Sequence, residues 1–526
     1  MKKFDKIAVF HYHLLPGGVT NVIFLSLRAL IHHRENLKEL CLVSGGEENI
    51  ETIAGKLREE IRAAGREIVL KTAVIPEIGY ITPEEAETLH RGSIKKRLLT
   101  EFGGFLWWVH NYHLGKNPVF TRALIEAVEE NPSQAVLFHL HDFPEDGRQD
   151  NLAFLRSVAG KDVYPVLPNV RYAVINTRDQ TLLSAAGLPA ESLFLLNNPV
   201  ETPKLPDPDP AGVRAGLEKA FAREFPAYRP DRPLWLYPVR TIRRKNALEA
   251  ALICAAAEAN LLLTLPGVSA AELPYSDLVE DLYRQGGIPG LWGFGRRLQE
   301  AGVDFTLLAR SCDAVLSSSV QEGFGYLYAD AVRWGRPLIA RDLPILDGIR
   351  DIFSNHPAVF YTRFDVPLEK REIETVRNRY LRHRISPEKE KNLPGFLEDL
   401  SRGTVDFPCL PVELQARILR RAKSPAFMNA LRDLNSDLFR RIDNPAEPAD
   451  SPDPGIFRRF GGPAFSEAFT KILESYFQPA GIFSGKEPVQ DTLIDLFSRS
   501  GIRHLLYEFH GNTGKEKSKT HRKEEV

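Results

Sequence analysis

The chain has 526 residues, 43% of them hydrophobic, which is more than one core usually serves; two domains with additions are expected. Lys and Arg number 68 against 69 Asp and Glu, a formal net charge of -1, so no bulk electrostatic pull toward nucleic acid or an anionic membrane exists. The four cysteines, Cys41, Cys254, Cys312 and Cys409, are far apart and form no CxxC pair, which argues against a zinc site or a disulfide framework.

The start, MKKFDKIAVFHYHLLPGG, has too short an apolar run for a secretory signal. No segment reaches the roughly 18 apolar residues of a membrane span, and a cytoplasmic protein is expected. Buried-strand patterns are predicted at Lys6–Phe10, Glu39–Val43, Glu67–Ile75, Ala135–His141 and Arg171–Asn176, with helices at Val19–Ile31, Thr52–Ala64 and Thr181–Ala186. Strands alternating with helices imply crossover connections and a parallel sheet. Residues 1–200 therefore read as one doubly wound domain. Pro199, Pro203, Pro206, Pro208, Pro210, Pro226, Pro230 and Pro233 then mark a linker over 201–233.

A second alternating series follows over 234–370. Strands are predicted at Leu234–Val239, Asn260–Leu265, Asp313–Leu316 and Pro337–Ala340, and helices at Asn246–Glu258 and Tyr326–Trp334. Residues 371–510 read as a helical extension. It holds a long stretch Val412–Ile442 broken near Ser424-Pro425, a Pro/Asp-rich link Asn444–Gly455, and amphipathic helices at Pro463–Phe477 and Val489–Phe509. The polar tail 511–526 is predicted to be disordered.

Four segments carry chemistry. In Ser317–Pro337 (SSSVQEGFGYLYADAVRWGRP) a strand ends, Glu322, Gly323, Phe324 and Gly325 follow, and a helix opens. Glycines let a ligand approach the backbone, and a helix N-terminus suits a phosphate. The same pattern also fits an ordinary strand–turn–helix with a surface glutamate. In Leu234–Asn246 (LWLYPVRTIRRKN) Arg240 and Lys245 flank a strand end and project toward one cleft, where two cations would hold a diphosphate; Arg243 and Arg244 read as a basic surface turn. In Phe10–Asn21 (FHYHLLPGGVTN) the Pro16-Gly17-Gly18 turn precedes a helix. In Phe138–Arg148 (FHLHDFPEDGR) His139 and His141 share a strand face; a polar lining of a sugar pocket suits them better than a metal, whose ligand spacings they do not match.

Together these segments resemble the retaining glycosyltransferases of the GT-B fold, specifically glycosyltransferase family 4, over about residues 5–350. VINTRDQTLLSAAGLPAESLFLLNNPVE resembles the family's approach to its interdomain linker. PVRTIRRKN resembles its Arg-to-Lys phosphate clamp, and SSVQEGFGYLYADAVRWGRPLIARDLP its donor-binding signature. The resemblance implies an α/β protein of two Rossmann-like domains facing a cleft. It implies that Arg240 and Lys245 bind the donor diphosphate and that Glu322 faces the sugar. Backbone groups of Gly323, Phe324, Gly325 and Tyr326 would contact sugar or phosphate, and Asp330 would hold the ribose. Gly17 and Gly18 would approach from the opposite domain, with His141 near the transferred sugar. The second acid of the signature is usually Glu and is here Asp330.

The acceptor is expected on the first domain, with His110, Asn111, His113 and Lys116 in Trp107–Pro118 (WWVHNYHLGKNP) as its groups; a packed surface loop is the other reading of that segment. The resemblance implies a hexose moved from a nucleotide-diphosphate sugar with retention, no cofactor and no metal. The lone D-x-D, Asp207-Pro208-Asp209, lies in the linker. A phosphorylase of the same fold and a non-catalytic sugar-nucleotide sensor are the alternatives. The acceptor and the oligomeric state, a homo-oligomer included, stay open.

Overall fold

A computed structural model of the chain describes residues 4–201, 205–382, 398–444, 454–476 and 488–498. The predicted disordered tail, most of the Asn444–Gly455 link and the second half of the Val489–Phe509 helix lie outside the described residues.

The first sheet has seven strands: β1 (Lys6–His11), β2 (Glu39–Ser44), β3 (Val69–Val74), β4 (Leu106–His110), β5 (Val136–Leu140), β6 (Val170–Val174) and β7 (Leu193–Leu195). Their spatial order is β3-β2-β1-β4-β5-β6-β7, all parallel. The second has six: β8 (Leu234–Arg240), β9 (Asn260–Leu265), β10 (Gly290–Trp292), β11 (Ala314–Ser317), β12 (Leu338–Arg341) and β13 (Ala358–Tyr361), in the order β10-β9-β8-β11-β12-β13. Helices cover both faces of each sheet, which is why strands such as β2 and β5 read as unbroken buried runs. Two Rossmann-like sheets facing one cleft make the GT-B arrangement that the sequence resemblance implies.

The order reverses between β1 and β4 in the first sheet and between β8 and β11 in the second. Such switch points open crevices beyond the carboxyl ends of the strands. The loops after β1, β4, β8 and β11 therefore meet there.

One segment differs from its reading as a loop. Trp107–His110 belongs to β4, the strand beside β1, and its side chains are buried on both faces. Beyond β13, an antiparallel pair, β14 (Asp365–Pro367) with β15 (Thr404–Asp406), begins the helical extension. That extension crosses back to the first domain. Phe460 packs edge-on against Phe324 in the second domain, ring centroids 5.6 Å apart. The helix Gly462–Ser475 then lays Phe469 against Trp108 (4.8 Å), and the helix Val489–Ser498 sets Phe497 against Phe143 (5.4 Å). Among the described residues no helix is long and apolar enough to cross a membrane.

Candidate active site

Lys245 and Glu322 stand 77 positions apart in sequence and form a direct ion pair. The sheet brings them together: β8 and β11 are neighbours, with Trp235 beside Ala314 and Leu236 beside Val315, so the loops that leave their carboxyl ends run side by side. Ser318 ties the loops, donating from its hydroxyl to the Asn246 carbonyl at 2.9 Å. Gly325 takes φ +79°, and a Cβ there would meet the Tyr328 ring at 2.5 Å, so only glycine fits the N-cap of the Tyr326–Trp334 helix. That helix has no acidic residue in its first turn and no side-chain cap, which leaves its N–H groups for an anion.

These residues line one cavity of about 460 Å³ between the domains. From the second domain come Arg244, Lys245, Gln321, Glu322, Gly323 and Asp330; from the first, Gly18, His141, Asp142 and Arg148. Contacts bridge the cleft. The Asn176 amide donates to the Gly323 carbonyl at 2.9 Å, and the Gln321 amide to Asp146 at 3.0 Å.

Electrostatics sort the titrating groups. Burial brings the Lys245 ammonium down to about 8, with Glu322 pulling the other way. Burial would raise the Glu322 carboxyl, but Lys245 and Arg244 outweigh it and hold Glu322 below its ordinary range. Burial lifts Asp330 to about 6, partly offset by Arg333, its ion-pair partner at 2.9 Å. Burial keeps His141 neutral, its pKa down at about 3.

The sequence-derived residues fall in three groups. Lys245, Glu322, Gly323, Phe324, Gly325, Tyr326, Asp330, His141 and Gly18 all line the cavity; Gly17, the residue before Gly18 in the chain, does not. Arg240 does not line it: its side chain is half exposed and pairs with Glu272 at 3.1 Å. Arg244, read as a surface turn, lines it instead, donating to the Gln321 carbonyl at 3.0 Å and lying 3.7 Å from Glu322. Lys116 is partly exposed and does not line the cavity; neither do the buried His110, Asn111 and His113. They are end-of-strand scaffolding: the Asn111 side-chain oxygen accepts from the His141 backbone N–H at 2.8 Å, and His110 Nδ1 shares a hydrogen bond with His141 Nε2 at 2.8 Å. Asp142, Arg148 and Gln321 are cavity residues that sequence reasoning did not single out, although each lay inside a quoted segment.

The nitrogens of buried His110, His139 and His141 lie within 4.8 Å of one another. Two nitrogens on a tetrahedral zinc, each at about 2.0–2.1 Å, stand about 3.3 Å apart. The 2.8 Å spacing of His110 and His141 is that of a hydrogen bond; their rings stack at 10°, and the His139 ring is tilted by 43° to His110 and 40° to His141.

No family model matches the chain. Among solved structures it is similar to a lipopolysaccharide outer core galactosyltransferase, with a TM-score of 0.45, 14% identity, and coverage of 89% of this chain and 99% of that one. It is also similar to the sucrose-phosphate synthase of Thermosynechococcus elongatus, with a TM-score of 0.44, 15% identity, and coverage of 84% and 99%. Among curated proteins it is 29% identical, over 512 residues that span 93% of this chain and 96% of the relative, to a mannosylglucosyl-3-phosphoglycerate synthase of Petrotoga mobilis (strain DSM 10674 / SJ95).

Proposed function

We propose that the protein is a glycosyltransferase that moves a hexose, with retention, from a nucleotide-diphosphate sugar to an acceptor held on the first domain. The observation that carries this reading is the Lys245–Glu322 pair beside a glycine-capped helix N-terminus, facing His141 across one cavity. The relative's name adds a mannosyl group and a phosphoglycerate-bearing glycoside as the first donor sugar and acceptor to try.

In this reading the diphosphate lies on Lys245, Arg244 and the N–H groups that open the Tyr326–Trp334 helix. An ammonium has three donors, and Glu322 engages one, so two remain for phosphate oxygens. Arg240 joins from the rim; leaving its half-exposed pair with Glu272 costs at most about 1 kcal/mol. The bond from the anomeric carbon to the diphosphate oxygen breaks with its electron pair on that oxygen. The acceptor oxygen bonds the same face of the carbon, and its proton passes to the leaving phosphate. Fixed cations meet the charge as it develops, which is where electrostatic catalysis is strongest. Asp330 is assigned to the ribose hydroxyls.

Incubation with nucleotide sugars and phosphorylated glycosides is expected to release nucleoside diphosphate only when both substrates are present, and proton NMR of the product to show the donor's anomeric configuration. Sugar phosphate formed from a glycoside and inorganic phosphate, without nucleotide, would instead establish a phosphorylase.

A pH dependence follows. The working form of Lys245 is the cation, present below its depressed pKa. kcat/KM is expected to fall as pH rises through about 8, and Lys245→Arg to remove that descending limb at the cost of some rate. An unchanged limb in the arginine variant assigns the ionisation to another group.

A further inference from the structure

The rim of the first domain carries a partly buried ammonium that has no counter-ion among the described residues. Lys116 sits in the loop after β4, and its Nζ lies 5.3 Å from the centre of the Tyr80 ring. No carboxylate pairs with it among the described residues; the charge it feels most is that of Arg148, another cation. Arg148 follows β5, the neighbouring strand, so the two cations sit on loops that leave adjacent strand ends, near enough for Arg148 to act on the Lys116 ammonium. Among the described residues one carboxylate, Asp142, pairs with Arg148 at 2.8 Å, and Arg244 from the opposite domain also acts on it. Partial burial of an uncompensated ammonium beside a second cation is costly, and such groups cluster where a ligand supplies the missing charge.

The surroundings hold this cation in place. The Asn117 amide donates to the carbonyls of Glu77 and Gly79 at 2.9 and 2.7 Å, and the Ile81 N–H donates to the Lys116 carbonyl at 3.1 Å. These bonds tie the Lys116 loop to the segment bearing Tyr80. Tyr80 itself is 51% exposed, which leaves part of an aromatic ring free to lie against a sugar. Arg148 and Asp142 line the same cavity as Lys245 and Glu322, so a molecule seated on this rim extends toward the proposed point of transfer.

Resting on the glycosyltransferase reading above, we infer that Lys116 and Arg148 form the seat of an acidic group, a phosphate ester or a carboxylate, carried by the acceptor. Arg148 supplies a planar fork and Lys116 a point charge, a combination suited to a compact anion. Acceptors without the acidic group leave the Lys116 ammonium uncompensated, so the seat sets specificity as well as affinity.

The test uses the full chain saturated with nucleoside diphosphate, which fills the Lys245 site and removes it as a competitor. Glycerol 3-phosphate and glycerate are then titrated by ligand-observed NMR. Wild type is expected to bind one of them, glycerol 3-phosphate if the group is a phosphate ester and glycerate if it is a carboxylate. Lys116→Ala with Arg148→Gln is expected to weaken that binding by about tenfold or more. Lys116→Arg is expected to retain most of it, with nucleoside diphosphate affinity close to wild type, and the melting temperature is expected to stay close to wild type in every variant. Nucleotide binding together with probe affinities that are absent from wild type, or unchanged in the double variant, overturns the inference alone. Absence of nucleoside diphosphate binding overturns the glycosyltransferase reading and the inference with it.

Discussion

Lys245→Ala is expected to lower kcat/KM by about a hundredfold or more, equivalent to roughly 2.7 kcal/mol of transition-state stabilisation. The ammonium is set deep in the cleft, held by Glu322 on one side, with Arg244 and the helix N-terminus beside it. In such a site water screens little, so a fixed charge acts at close to full strength on the phosphate that leaves. The loss should appear mainly in kcat, because the charge on the leaving diphosphate grows as the glycosidic bond breaks. Lys245→Ala also frees Glu322 from its principal counter-ion, so Glu322→Gln combined with Lys245→Ala is expected to recover part of the donor affinity. Steady-state kinetics with coupled detection of nucleoside diphosphate measure both. Rates within a few-fold of wild type for Lys245→Ala would remove the lysine from the mechanism.

Arg341→Ala is expected to destabilise the second domain by about 3–5 kcal/mol. The Arg341 guanidinium donates to both oxygens of Glu249 at 2.8 Å and to Asp406 at 2.6 and 3.2 Å, and the Tyr361 hydroxyl donates to Glu249 at 2.8 Å. All four side chains are buried. Removing the single cation strands two carboxylates away from water, and burial already pushes Glu249 upward, so it would take up a proton at a cost to the folded state. Asp406 belongs to β15, so the same change loosens the extension from the second sheet. A fall in melting temperature on the order of 10 °C is expected by scanning calorimetry, with the transition of the first domain less affected. A shift of a degree or two would show that the network contributes specificity and not stability.

Much of the fold was legible from strand chemistry. KIAVF, ELCLV and LWLYPV are short apolar runs bounded by turn residues, and each lies in a buried parallel strand. β4 was missed because LWWVH, with its tryptophans and histidine, resembles a binding loop as much as a strand. Only its place between β1 and β5 buries those rings. Amphipathicity announced that the helix Gly462–Ser475 packs on something, but nothing local says that its phenylalanines cross back to Trp108 of the first domain.

The site was legible where a backbone motif fixed it and obscure where side-chain direction decided. Arg243, Arg244 and Lys245 share one short 3₁₀ turn with three residues per turn. Successive side chains therefore point in different directions: Arg243 to the Pro408 carbonyl at 2.9 Å, Arg244 into the cavity, Lys245 to Glu322. A run of basic residues looks alike at each position until that turn is known. His110 and His113 differ from their reading for the related reason that polarity suggests exposure, whereas a hydrogen bond to His141 holds His110 inside and edge-on packing against Phe143 and Tyr164 holds His113 there.

Isothermal titration of the wild-type protein and the Lys245→Ala variant with UDP, GDP and ADP tests the diphosphate site most directly. One of these nucleotides is expected to bind wild type at a single site and to bind the variant at least tenfold more weakly. Equal affinity in the two proteins, or no binding of any of the three to wild type, would contradict the assignment of the Lys245–Glu322 cleft to the donor.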